Sequence, residues 1–175
     1  FLRAANFPNI TSDDYSDIAA IGTVADVVPL IGANRAIVAQ GLPRISDRLR
    51  PGIRALLAVA KCTKDEISVR DIGFVLAPRL NSSGRLGNPL LGSTLLTEID
   101  HNAALVMAQK LDTYNLERRL IGESMVNAAI EMVESRPGFE EQHITVLSGK
   151  HWHAGVIGIT ASRLTDRYSK PTIII

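Results

Sequence analysis

The first residue whose chemistry stands out is Asp26, a carboxylate inside the stretch DIAAIGTVADVVPL at 17–30, whose apolar character predicts burial. A carboxylate is costly to desolvate unless a cation, a cluster of donors or a metal ion compensates it, so Asp26 calls for a partner. Two readings fit. One is a helix-end aspartate bonded to backbone N–H groups or to an arginine. The other is a ligand to a hard divalent ion such as Mn²⁺ or Mg²⁺, which favours carboxylate oxygen. One aspartate cannot hold such an ion, so the second reading places the other ligands elsewhere.

A second group lies in APRLNSSGRLG at 77–87, where Arg79, Asn81 and Arg85 surround two serines and a glycine. The composition predicts an irregular loop. Its guanidinium forks and exposed N–H groups suit a phosphate, although arginines pair with carboxylates equally well and a solvated basic loop has the same composition. A third group is WHAGVIGI at 152–159, joining a strand to a helix, where Gly155 and Gly158 allow a ligand or another backbone close to a helix N-terminus that favours anions. Gly149-Lys150 lacks the remaining features of a P-loop. His151 and His153 share a strand face, but no cysteine or carboxylate stands near them to complete a zinc site. There is no Gly-x-Ser-x-Gly elbow, and nothing marks Cys62 as a nucleophile, so covalent catalysis is not expected.

The elements that must position these residues are mostly helices. Ile18, Ile21, Val24 and Ala25 predict a helix over 14–25, capped by Asp13 or Asp14 and ending near Asp26. Further helices are predicted over 34–45, with Pro43 distorting the end, over 53–60 behind Pro51-Gly52, and from Ser68-x-x-Asp71 towards Pro78. Asp100 caps a long helix over 101–135 carrying a stripe of Leu105, Ala108, Leu111, Met125, Ala129 and Met132, and spanning ~50 Å, long enough to bridge two domains. The stripe fades at Asn115–Arg119, which predicts exposure or a polar interface. Arg136-Pro137-Gly138 ends the helix. After His143 the period changes: a strand over 144–147, a helix over 155–168 and a strand over 172–175 read as a parallel βαβ unit.

The chain has 175 residues, 46% of them hydrophobic, which is ample for a core. Lysine plus arginine total 19 against 18 acidic residues, so no global field draws in a polyanion and any nucleic-acid contact must be local. The single cysteine excludes an internal disulfide framework and fits a reducing, cytoplasmic setting. No apolar run approaches a membrane span, so no membrane partner is expected. The start at Phe1 and the β-branched run at the far end suggest a fragment.

Taken together, GTVADVVPL at 22–30, Asn34-Arg35, APRLNSSGRLG at 77–87 and WHAGVIGITASRL at 152–164 resemble the RecJ family of single-stranded-DNA-specific exonucleases, members of the DHH phosphoesterase superfamily. The resemblance implies an α/β protein that is mostly α here. Its parts would be the end of a DHH domain with a helical region (1–99), a connecting helix (100–136) and the first βαβ unit of a DHHA1 domain (143–175). By it, Asp26 matches the last metal-binding aspartate, Arg79, Asn81 and Arg85 match the phosphate-contacting segment, and His153 and Gly155 lie where DHHA1 helps to hold the strand. The implied cofactor is Mn²⁺ or Mg²⁺. The implied partner is single-stranded DNA, with a helicase or single-strand-binding protein as protein partners, in DNA repair and recombination. The implied reaction is metal-dependent 5′→3′ hydrolysis releasing 5′-mononucleotides. The Asp-x-Asp and Asp-His-His motifs of the family are absent from these residues, so the fragment alone is expected to be inactive. A DHH phosphodiesterase for short oligonucleotides or cyclic dinucleotides, and a non-catalytic DNA-binding relative, are the alternatives.

Overall fold

The computed structural model describes residues 11–175; the first ten residues of the segment assigned to a DHH domain lie outside them. The Asp14 carboxylate accepts from the Thr11 N–H at 2.7 Å, closing a capping box at a 3₁₀ turn (Ser12–Tyr15) that leads into helix α1 (Ser16–Ala25). Helix α2 (Gly32–Ser46) packs along α1 through Gly41, whose Cα lies so close to the Ser16 carbonyl and the Ala20 side chain that no Cβ fits. Pro43 does not end α2, which continues three residues beyond it. Helix α3 (Pro51–Val59) opens on Pro51, whose missing N–H falls in a first turn that needs no donor.

The expected capping box at Ser68 is present. The Ser68 N–H and hydroxyl donate to Asp71 Oδ2 at 3.0 and 2.6 Å, and Lys64 Nζ lies 2.6 Å from Asp71 Oδ1. The Lys64 bond first, and the Ser68 bonds after it, hold the Asp71 carboxyl down at about 2. Helix α4 (Val69–Asp71) then passes through a π-helical turn (Ile72–Leu76) into helix α5 (Ala77–Leu86). Residues 77–86 are therefore a helix and not the expected loop. Pro78 sits in the first turn of α5, behind a π turn in which the Ala77 N–H reaches back to the Ile72 carbonyl. That local widening lets the rod continue where a regular helix would stop.

Helix α6 (Leu91–Thr97) precedes helix α7 (His101–Glu134), whose first turn is capped by Asp100 Oδ1 accepting from the Ala103 N–H at 2.7 Å. Strands β1 (Thr145–Leu147) and β2 (Thr172–Ile174) flank helix α8 (Ala154–Tyr168) and pair in parallel, Thr145 opposite Thr172. The result is mostly α with one βαβ unit, the fold class expected. Two cores share α7. Ala104, Ala108 and Leu111 enter the core built from α1–α6, whereas Ala129 and Val133 join Phe139, Leu147 and Leu164 in the second. Leu105, expected in the stripe, is 40% exposed. Asn115 lies buried between the two cores.

The buried carboxylate of the 17–30 stretch is Asp17, not Asp26. It is 3% exposed, and Arg50 grips it as a fork, Nε to Oδ2 at 2.8 Å and Nη2 to Oδ1 at 3.2 Å. Arg50 also donates to the Asp14 carbonyl at 2.9 Å and the Leu96 carbonyl at 3.3 Å, so one guanidinium ties α1, α3 and α6. The carboxylate sits in the first turn of α1, where the helix dipole favours it. Asp17→Ala leaves Arg50 half-buried and unpaired; the expected cost is about 3 kcal/mol, read by urea denaturation, and an unchanged midpoint contradicts the role of the pair.

Candidate functional site

Asp26 closes α1. Its backbone N–H donates to the Gly22 carbonyl at 3.0 Å, while its exposed carboxylate accepts no hydrogen bond from the described residues. The expected burial fails because α1 ends here and the chain turns outward, with Val27 86% exposed. Two features make the position costly. A negative charge stands at the negative end of a helix dipole, and no cation among the described residues pairs with it. Val27, a β-branched residue, follows it with φ of 56°, in the left-handed region that usually takes glycine at a helix end. Strain of this kind is worth about 1–3 kcal/mol and concentrates at functional positions.

On α5, Asn81 and Arg85 are one helical turn apart on an exposed face, while Ser82 and Ser83 are buried towards the core. The Ser82 hydroxyl donates to the Arg79 carbonyl at 2.6 Å and the Leu111 carbonyl at 3.1 Å, and its small size permits the close approach of α5 to α7. Arg79 points elsewhere. Its Nε lies 2.8 Å from Asp112 Oδ1 and its Nη1 donates to the Val75 carbonyl at 2.8 Å, so it clamps the π turn to α7.

Arg85 Nη1 donates to the Gly155 carbonyl at 3.0 Å, and the Gly155 N–H donates to His153 Nδ1 at 3.1 Å. His153 thereby caps α8. Gly155 is required sterically. A Cβ there would strike the Arg85 carbonyl oxygen and lie 3.2 Å from Arg85 Cα. The two sequence groups, separate along the chain, are thus one contact.

A notch of about 130 Å³ opens beside this contact, lined by Ala25, Asn81, Arg85, Arg118 and Ile159 among others. Ala25 immediately precedes Asp26, so the end of α1 borders the same notch as Asn81 and Arg85. Arg118 was not singled out from the sequence; the polar break at Asn115–Arg119 in an apolar stripe was its signal. Burial first, then the guanidiniums of Arg85, Arg119 and Arg163, hold Arg118 below the ordinary arginine range, though it stays charged at neutral pH.

No protein-family model matches the sequence. The single-stranded-DNA-specific exonuclease RecJ of Dickeya dadantii is 41% identical over 169 residues, covering 95% of this chain and 29% of that protein. RecJ from Thermus thermophilus superposes with a TM-score of 0.86 both in complex with Mg²⁺, at 31% identity, and in complex with Mn²⁺, at 30%. Those superpositions cover 99% of this chain and 27% and 25% of the Thermus chains. The chain is RecJ-family sequence in a RecJ-family fold. It spans about three tenths of the length of the Dickeya relative.

Within this RecJ-family stretch, the expected residues Asn81, Arg85, His153 and Gly155 come together, with the α1 end at their side. Among the described residues no three His, Cys, Asp or Glu side chains gather to hold a metal ion, so these residues alone do not make a metal site. Gly155→Ala forces α8 away from α5. It is expected to destabilise the protein by about 1–3 kcal/mol and to break the Arg85–Gly155 bond in a crystal structure; an unchanged denaturation midpoint contradicts the close-contact reading.

Proposed function

We propose that these residues are the functional edge of a metal-dependent, single-stranded-DNA-specific exonuclease that hydrolyses phosphodiester bonds 5′→3′ and releases 5′-mononucleotides in DNA repair and recombination. By the sequence resemblance, residues 1–99 end a DHH domain, 100–136 connect, and 143–175 begin a DHHA1 domain. Asp26 supplies one hard oxygen ligand for Mn²⁺ or Mg²⁺, and the other ligands come from sequence beyond these residues. The 175 residues alone are inactive. The single cysteine fits a cytoplasmic setting. No helix among the described residues is long and apolar enough to cross a membrane. A helicase or single-strand-binding protein would deliver the strand.

One observation carries this reading: an unpartnered carboxylate, placed against its helix dipole and beside a strained residue, directly follows Ala25, which lines a notch together with Asn81 and two arginines. Asp26 would hold a divalent ion together with ligands from sequence beyond these residues, and the bound ion would supply water activation and charge offset at the phosphoryl oxygens. The chain's own residues do the rest. Arg85 and Asn81 face the notch and offer donors to a phosphate, with Arg85 already oriented by the Gly155 carbonyl. Arg79 positions α5 through Asp112 and Val75 and is assigned no direct phosphate contact while that pair holds. His153 fixes the first turn of α8, the helix whose Ile159 lines the notch.

The test is Asp26→Asn in the intact protein. Manganese-dependent hydrolysis of long single strands is expected to fall on the order of a thousandfold, while stability rises by about 0.3–1 kcal/mol because a charge leaves the negative helix end. Near-normal turnover contradicts the ligand role. Preference of the wild type for cyclic dinucleotides over long strands assigns the same site to the phosphodiesterase class instead.

A further inference from the structure

Arg118 has no carboxylate partner among the described residues. Its Nη2 donates to Asn115 Oδ1 at 2.9 Å, its Nε is enclosed without an acceptor, and the charges that act on it are those of three other arginines. Arg85 comes from α5, Arg119 from α7 and Arg163 from α8, so three helices converge like charges on one guanidinium. The contrast with Arg44 is informative. Its Nε also lacks an acceptor, but its charge acts on a carboxylate, that of Asp14. At Arg118 nothing among the described residues supplies the counter-charge, so an incoming anion meets a half-buried guanidinium with no carboxylate to displace.

The notch that Arg118 and Arg85 share, about 130 Å³ in volume, has room for a phosphate group. Guanidinium forks match the oxygens of a tetrahedral phosphate, and the Asn81 amide adds a neutral donor on the same wall. We propose that Arg118 is a phosphate-binding residue, which with Arg85 holds one backbone phosphate of a single strand in the notch between α5, α7 and α8, Arg119 and Arg163 adding to the attraction. This rests on the nucleic-acid reading above for the identity of the ligand, but the anion site itself is read separately.

The experiment compares wild type, Arg118→Gln and Arg118→Lys in the intact protein, with chelator present so that no hydrolysis intervenes. Thermal melting is followed against inorganic phosphate, and single-strand affinity against salt. Phosphate is expected to raise the wild-type melting temperature and to leave Arg118→Gln unmoved. Arg118→Gln is expected to bind the strand on the order of tenfold more weakly, with a salt slope shallower by about 0.7. Its melting temperature without phosphate should not fall, whereas Arg118→Lys keeps most of the slope. Wild-type phosphate response and slope in Arg118→Gln overturn the proposal, as does a loss of binding in both variants that tracks a loss of melting temperature. Phosphate protection through Arg118 in a protein that binds no strand upholds the anion site and overturns the nucleic-acid reading.

Discussion

The fork of Arg50 on Asp17 is the interaction on which the positions of the functional groups depend. Desolvating both charges is unfavourable. It is tolerated because the geometry is bidentate, the aspartate lies at the positive end of α1, and the remaining guanidinium protons reach the Asp14 and Leu96 carbonyls. With its first turn pinned between α3 and α6, α1 is ten residues long and has one place to end. That place carries Asp26. The two aspartates of one helix therefore have opposite environments: the first is buried and paired at the favourable end, the second exposed and unpaired at the unfavourable end.

The opposite side of the notch is built by a different device. α5 approaches α7 over the small Ser82 and α8 over the bare Gly155, and Arg79 locks the π turn behind it to Asp112. These contacts join the core of α1–α6 to the core beneath the βαβ unit at the level of Asn115, where α7 turns from apolar to polar. Arginines gather there because both apolar stripes of α7 are spent on the cores to either side, leaving a polar waist. The arrangement is rigid where it holds Arg85 and strained where it presents Asp26.

Much of this was legible in the residues. The Ser68-x-x-Asp71 box, the Asp100 cap, the 34-residue α7 and the change of period into a parallel βαβ unit all follow from local chemistry, and each stands where its signal placed it. Residues 77–86 mislead because serine, glycine and proline in one run signal a turn. Helicity there comes from tertiary contact with α7 and α8, which rewards small residues and overrides propensity. Burial of Asp26 is a false expectation because the hydrophobicity of a segment does not say where its helix stops. The Arg50 partner, 33 residues from Asp17, and the convergence of Arg118 with Arg85 and Arg163 are matters of packing, beyond reach of spacing along the chain.

The central claim is that the end of α1 and the basic notch form two sides of one phosphate-handling site. The most direct measurement is a crystal structure of the intact protein with manganese and a short, uncleavable single strand, read by anomalous scattering. The expected result is an ion about 2.0–2.4 Å from an Asp26 carboxylate oxygen, with a backbone phosphate in the forks of Arg85 and Arg118. An ion bound elsewhere with the Asp26 side chain turned away, or a strand that passes without entering the notch, contradicts it.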